Sequence, residues 1–522
     1  MHLLSRGKLA AHFAAAATMA LAAAALPACT HGDRVRVAAP SASAAAAPGE
    51  STGAVTAVTA VTAATTDGAL GDRGDHGDHG LTDPNASWIG ARAVHDVVLA
   101  RDGQADIGLW VDAPGLTRSS RRPKVDVALV IDVSGSMSGA KFQNAKEAAR
   151  TIVSGLVDGD IVSIDSFDDR ARSICPPLVL DAHNRTILHR AIDGMTIGGN
   201  TNMFDGLELA EMHAAQAPST HAVRRVVMLS DGQANVGASS PELLGEIAER
   251  GLGAHTQVTS IGLGLDYSEQ TLDALAVRSG GRMYHLTDSA GVTSTLRDEL
   301  ALLTSAVASD AYVEVIPAPG VRVERIFGVG GWHGEATASS DGGTPTLRIP
   351  LGSLFAGQHR EALLRVRFEG SGAAWRAQPR ALASVRLHFR DLGDDSVERV
   401  QETVARIRTS DDAREVASSA SPQAQAIATT ALASEEVFAA TQDAEKGDFA
   451  VASKKLAVMS TELRHRAASA PAAAKPRMLK AADDADEQSR AAGAAATAAV
   501  APAARRETVL KMNSYSMKQS GF

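Results

Sequence analysis

The sequence predicts a multidomain α/β chain: a doubly wound, mostly parallel sheet at 124–305, flanked by a β-sandwich, with a C-terminal helical region. Three observations predict it. From Val125 to Ser305, apolar strand-like runs alternate with helical segments, the pattern of a parallel sheet covered on both faces. Shorter runs of β pattern lie before and after that stretch. From about 398 to 498 the chain is rich in Ala, Glu, Arg and Lys, which favour helix.

The elements follow in chain order. Residues 1–29 read as an export signal: Arg6 and Lys8, the apolar run Leu9 to Leu26, then Leu26-Pro27-Ala28-Cys29. Residues 30–87 are Ala, Thr, Gly and Ser, with the tandem Ala-Val-Thr run at 54–63, and cannot bury enough surface to offset ordering entropy. They are expected to be a tether. Within it, Arg73-Gly74-Asp75 and the pair His76 and His79 are read as chance features of a Gly/Asp/His-rich linker. The segment 88–120 carries two alternating runs around Arg101-Asp102-Gly103-Gln104, a hairpin signal.

Within 124–305, strands are expected at 125–132, 160–167, 171–175, 224–230, 256–263 and 282–287. Helices are expected at 139–156, 182–193, 203–215, 240–252, 268–278 and 290–304. The region 308–392 returns to β pattern, as in Ala311 to Ile316, Glu361 to Phe368 and Ser384 to Phe389. Residues 88–120 are expected to pair with it, placing the α/β domain inside the sandwich with its two connections side by side, an arrangement that permits hinging. Residues 398–498 are expected to be helical, turning at Lys446-Gly447-Asp448-Phe449, and 499–522 to be a polar tail.

Charge is uneven. Residues 124–305 hold 14 Lys and Arg against 23 Asp and Glu, a net of −9 that equals the whole chain's. An acidic centre disfavours a nucleic-acid partner and favours cations or basic protein surfaces. Two cysteines, Cys29 and Cys175, are too few for a disulfide framework.

The chemistry sits where the strand Val125–Asp132 runs into Val133-Ser134-Gly135-Ser136-Met137-Ser138-Gly139. In an open α/β sheet, ligands bind at the carboxyl ends of the strands. Here that end offers one carboxylate and two hydroxyls at alternate positions, an all-oxygen set suited to a hard divalent ion rather than zinc.

Asp132-x-Ser134-x-Ser136 resembles the metal-ion-dependent adhesion site of the von Willebrand factor A domain, which has the integrin I-domain fold. Gly198-Gly199-Asn200-Thr201-Asn202 resembles the loop whose threonine completes that site, and Val226 to Gly232 resembles the strand ending in its second aspartate, here Asp231. The resemblance implies that Ser134, Ser136 and Thr201 bind the ion directly while Asp132 and Asp231 hold it through water. The ion would be Mg²⁺, with Mn²⁺ and Ca²⁺ as alternatives, and a protein partner would supply a Glu or Asp carboxylate to it. An ion that only staples the three loops needs the same residues, so that alternative stays open.

Other motifs are weaker. Gly135 to Gly139 resembles a nucleophile elbow, but its centre is Met137. Asp165, Asp168 and Asp169 fit a solvated loop better than a second cation site, and Cys175 fits a small buried hydrophobe. The histidines form no metalloprotease spacing and no phosphate-binding loop is present, so a non-enzyme is expected.

Leu26-Pro27-Ala28-Cys29 resembles the bacterial lipoprotein box, which implies lipid attachment at Cys29 and an exported, envelope-anchored protein. Thr30 after that cysteine favours the outer membrane. The layout also resembles exported bacterial A-domain proteins and the inter-alpha-trypsin-inhibitor heavy chains. The function expected is a membrane-tethered protein that binds a protein partner through a divalent ion. The alternative is a scaffold subunit of an envelope complex whose helical region makes the contacts.

Overall fold

In the computed structural model, residues 87–116, 121–231, 233–265, 267–286, 289–328, 345–368, 373–393, 397–497 and 500–519 are described. The segments expected to be an export signal and a tether, with Cys29 and the Arg-Gly-Asp and His76/His79 features, and the last residues of the chain lie outside them.

The chain opens with β1 (Ile89–Ala93), β2 (Val97–Leu99) and β3 (Gln104–Asp112). The α/β domain follows: β4 (Val125–Asp132), α1 (Ala140–Gly155), β5 (Ile161–Phe167), β6 (Ala171–Val179), α2 (Ala182–Gly194), α3 (Met203–Ala215) and β7 (Val223–Ser230). It continues with α4 (Pro241–Gly253), β8 (Thr256–Leu263), α5 (Glu269–Arg278), β9 (Arg282–Leu286) and α6 (Ser289–Thr304). Then come β10 (Ala306–Pro317), β11 (Val321–Phe327), β12 (Leu347–Phe355), β13 (His359–Phe368), α7 (Ala373–Ala377), β14 (Arg380–Asp391) and β15 (Glu398–Ser410). The helical part is α8 (Ala413–Ser418), α9 (Pro422–Glu445), α10 (Phe449–Ala467), α11 (Lys475–Ala495) and α12 (Pro502–Gln519).

The α/β sheet has the order β6-β5-β4-β7-β8-β9 and is parallel except for β6, which pairs antiparallel with β5. Because both faces are covered, β4 and β8 are buried along their whole length; β4 reads as a near-continuous apolar run, whereas β8 buries Thr256, Gln257, Thr259 and Ser260 among its apolar residues. One face packs Leu129, Ile131, Val227 and Leu229 against α1 and α6 residues such as Ile152 and Leu300. The other packs Val130, Met228 and Val258 against Leu207, Leu244 and Leu272.

The sandwich has sheets ordered β1-β3-β13-β11 and β12-β10-β14-β15-β2. Their shared core includes Ile107, Leu109, Val313, Val366, Val385 and Ile407. β3 pairs with β13 from Asp112↔His359 to Gln104↔Arg367, so the first β segment and the region after the α/β domain share a sheet. The α/β domain is thus inserted between β3 and β10.

Three sequence expectations are corrected. The Asp102-Gly103 turn exists, with Gly103 at φ +58°, but no hairpin forms across it: β2 joins β15 in one sheet and β3 joins β1 in the other. Residues 398–410 are a strand, because β14 offers a partner along its length and Ala405, Ile407 and Thr409 fill the core at every second position. The polar tail is largely the helix α12, which buries Val509, Leu510, Met512 and Tyr515.

The helical hairpin α9–α10 turns at Gly447, whose φ of +93° closes it. α10, α11 and α12 share a core with α9 built largely of alanine, around Phe449, Leu456, Leu463 and Tyr515. α12 then returns to the α/β domain, where Leu510 enters the core beneath α3 to α5. Arg506 donates to the carbonyls of Leu265 (3.1 Å) and Tyr267 (3.0 Å) and pairs with Glu269 (2.7 Å). No helix among the described residues is long and apolar enough to cross a membrane.

Candidate metal-ion site

The site lies at the carboxyl ends of β4 and β7. Asp132 ends β4 with its side chain fully buried, accepting from the Ser134 amide (2.8 Å) and the Ser230 hydroxyl (2.6 Å). Burial pushes its carboxyl up to about 6, the bonds from Ser134 and Ser230 oppose that, and the nearby charge of Asp231 adds to it. Beyond it, Ser134 and Ser136 place their hydroxyl oxygens 3.0 Å apart, one buried and one exposed. The chain turns there through a single helical turn at Gly135–Met137, anchored by buried Met137.

The loop carrying Thr201 is tied to this turn by backbone bonds. The Gly135 amide donates to the Gly199 carbonyl (3.1 Å), and the Gly198 amide to the Val133 carbonyl (2.8 Å). Gly199 has φ +72°, and a Cβ there would meet Asp169 at 2.5 Å. Thr201 is buried; its amide donates to Asn235 Oδ1 (2.9 Å) and its carbonyl accepts from the Asn235 amide (3.0 Å).

Asp231 follows β7 and is also buried. Its Oδ2 lies 3.1 Å from Lys141 Nζ on α1, while its Oδ1 is buried with no hydrogen-bond partner among the described residues. An orphaned carboxylate oxygen in an enclosed site costs about 1–3 kcal/mol or more if nothing meets it. Two carboxylates flank a pair of touching hydroxyls. This donor set fits a hard divalent cation and offers no soft ligand.

The structure therefore gathers Asp132, Ser134, Ser136 and Asp231 at two adjacent strand ends, and ties the Thr201 loop to them. Sequence reasoning missed Lys141 and Asn235. Lys141 sits in the first turn of α1 with its stem against Gly264, and only the fold brings it to Asp231. Asp168 and Asp169 brace the Thr201 loop. Asp168 pairs with Arg172 (2.7 Å) and its carbonyl accepts from the Asn202 amide, while Asp169 accepts from Asn200 Nδ2 (2.7 Å). Asp165 is buried against His213 Nδ1 at 3.0 Å. Among the described residues no three His, Cys, Asp or Glu side chains cluster as a metal site. Cys175 is buried and free, its thiol pushed up by burial.

The sequence model of the von Willebrand factor type A domain matches residues 126–299. Those residues form such a domain. Beyond the A domain, the likeness is one of fold. A von Willebrand factor type A protein from Catenulispora acidiphila superposes with a TM-score of 0.63 at 16% identity, over 84% of this chain and 98% of that one. The ArnB paralog VWA2 of Sulfolobus acidocaldarius gives 0.52 at 14% identity, over 83% and 97%.

Among curated relatives, an uncharacterized protein of Synechocystis is 26% identical over 47% of this chain and 58% of its own length. The E3 ubiquitin-protein ligase WAV3 of Arabidopsis thaliana is 26% identical over 53% of this chain and 35% of its own. Human inter-alpha-trypsin inhibitor heavy chain H3 is 30% identical over 31% and 19%. The chain thus spans between about a fifth and three fifths of the length of these relatives. A domains commonly mediate protein–protein interaction and adhesion.

Proposed function

We propose that this chain is a non-enzymatic, membrane-tethered protein of the cell envelope that binds a protein partner through a divalent ion held by the A domain. The observation that carries the reading is the buried, unpartnered Oδ1 of Asp231 beside the Asp132–Ser134–Ser136 turn. Ser134, Ser136 and Thr201 would contact Mg²⁺, and Asp132 and Asp231 would hold it through water. The ion would supply an electrophilic position for a Glu or Asp carboxylate of the partner. Tethering rests on the sequence around Cys29.

The test is a pull-down with the full chain in Mg²⁺ and in EDTA, repeated with Asp132→Ala. Partners lost in both EDTA and the variant support the reading. Partners retained in both overturn it.

A second reading, a scaffold subunit whose helices make the main contact, is favoured by one observation. A groove of about 1020 Å³ runs between α9, α10 and the β1–β2 connection, and it exposes Leu432, Val451 and Val458, the last to 63%. In that reading the same pull-down is insensitive to EDTA and is lost with Val451→Asp and Val458→Asp.

A further inference from the structure

The seam between the A domain and the sandwich gathers positive charge that the described residues leave unbalanced. β7 and β8 pair Arg225 with Gln257, and β8 and β9 pair Thr259 with Arg282. Side chains alternate along a strand, so these four share one face of the sheet, together with Tyr284 two residues on. Arg360 of β13 comes from the sandwich side, close enough to feel the charges of Arg225 and Arg282.

Two of these guanidinium groups are out of water. Arg225 is 1% exposed, and its Nε and Nη1 are buried without a hydrogen-bond partner among the described residues. Arg360 is 9% exposed with its Nε in the same condition. Arg282 lies over the Phe355 ring, 5.4 Å from its centroid. The carboxylate whose charge acts on Arg225 is Glu299 of α6, whose oxygens already accept from Thr259 (2.8 Å) and the Tyr284 hydroxyl (2.7 Å).

Three arginines against one carboxylate leave a net of +2. Arginine does not escape by deprotonating, and an unpaired buried charge is among the most costly features a core can carry. Burial and mutual repulsion both press on Arg360, lowering it to about 10. Arg225 Nε and Nη1 and Arg360 Nε are donors without an acceptor among the described residues. A tetrahedral or planar oxyanion presents several acceptor oxygens, so it can meet N–H donors coming from more than one arginine, which a spherical halide does less well.

We infer that this seam is a binding site for a small oxyanion of the phosphate or sulfate class, gripped by Arg225 and Arg360 with Arg282 at its edge. The site is separate from the metal-ion loops and does not depend on their function. Its occupant bridges the A domain and the sandwich, since Arg225 and Arg282 belong to one and Arg360 to the other.

The test uses the full chain dialysed into buffer free of phosphate and sulfate, with ionic strength held constant by sodium chloride. Inorganic phosphate is titrated while melting temperature and heat of binding are recorded. Anions released on acid denaturation of the untitrated protein are measured by ion chromatography. The expected result is a saturable rise in melting temperature, or close to one oxyanion per chain already retained. Arg225→Met and Arg360→Met abolish both, while Arg360→Lys, which keeps the charge and loses the Nε donor, weakens binding about tenfold. No saturable effect and no retained oxyanion overturns the inference, as does an equal effect of chloride or a response unchanged in the variants. Should a Met variant not fold, the wild-type titration and the anion assay decide alone.

Discussion

Leu510 tests whether the end of the chain is part of the fold. Its side chain is fully buried in the A-domain core beneath α3 to α5, although it belongs to α12, more than two hundred residues from the strands it meets. Truncating a buried leucine to alanine costs about 2.7–5 kcal/mol, the spread reflecting how far the site can close over the cavity. Two features set the value here. α12 is held independently by Arg506, bonded to Leu265, Tyr267 and Glu269, so it will not simply detach. Neighbouring side chains and the helix itself relax over part of the cavity. Leu510→Ala is therefore expected at the lower end, about 3 kcal/mol. For a domain of this size that is roughly 6–12 °C in melting temperature. The assay is thermal unfolding of the full chain followed by fluorescence, with hydrogen exchange of the α12 amides beside it. Leu479→Ala, on an exposed part of α11, is the control and should stay within about 0.5 kcal/mol. A Leu510→Ala variant indistinguishable from that control would refute the packing argument.

Three further outcomes are expected. After EDTA treatment and dialysis, Mg²⁺ at a hundredfold excess over its dissociation constant should stabilise the wild type by about 2.7 kcal/mol, and Asp132→Ala should show no Mg²⁺ response in the same melting assay. Gly352 has φ +67°, and a Cβ there would lie 1.7 Å from Gln257 Nε2, whose side chain joins Gly280 to Ser353 across the seam. Gly352→Ala should thus cost roughly 2 kcal/mol or more in a urea titration. Burial beneath α4 pushes Glu211 up to about 8, against the opposing charge of Arg250, so the folded state holds a proton there that the unfolded chain releases at ordinary carboxylate values. Its stabilisation is complete at acid pH and is lost as pH rises through about 8, so Glu211→Gln should flatten the fall in melting temperature between pH 5 and 8.

The α/β order was legible because both of its signals are local. Fully buried parallel strands run largely apolar, so 125–132 stands out, and several helices that follow announce themselves by Asp181, Ser240 and Ser268 at their N-caps. Asp132, Ser134 and Ser136 were legible for the same reason, being neighbours in the chain. What lay beyond was set by partners far away in sequence. β6 runs on to Val179 through Pro176 and Pro177 because it is an edge strand, where a proline forfeits no ladder bond. Composition pointed to helix for 398–410, but the β-branched Val400, Thr403, Val404, Ile407 and Thr409 fit a strand once β14 lies alongside. α12 spreads four buried apolar residues through a polar sequence, and their role emerges only against α9, α11 and β9. Lys141 and Asn235 reach the metal-ion loops by the same long-range closure.

Insertion of the A domain between β3 and β10 gives it two covalent crossings to the sandwich instead of one. A domain hung from one linker can swivel, so its binding face points anywhere within a cone. Two crossings, a seam bonded through Gln257 and Ser353, and α12 clasped from outside restrict that freedom. The metal-ion loops then keep a constant bearing relative to the sandwich, and a pull on them divides between both crossings. Such a chain resists being turned or peeled from one end, a mechanical property that no single site in it confers.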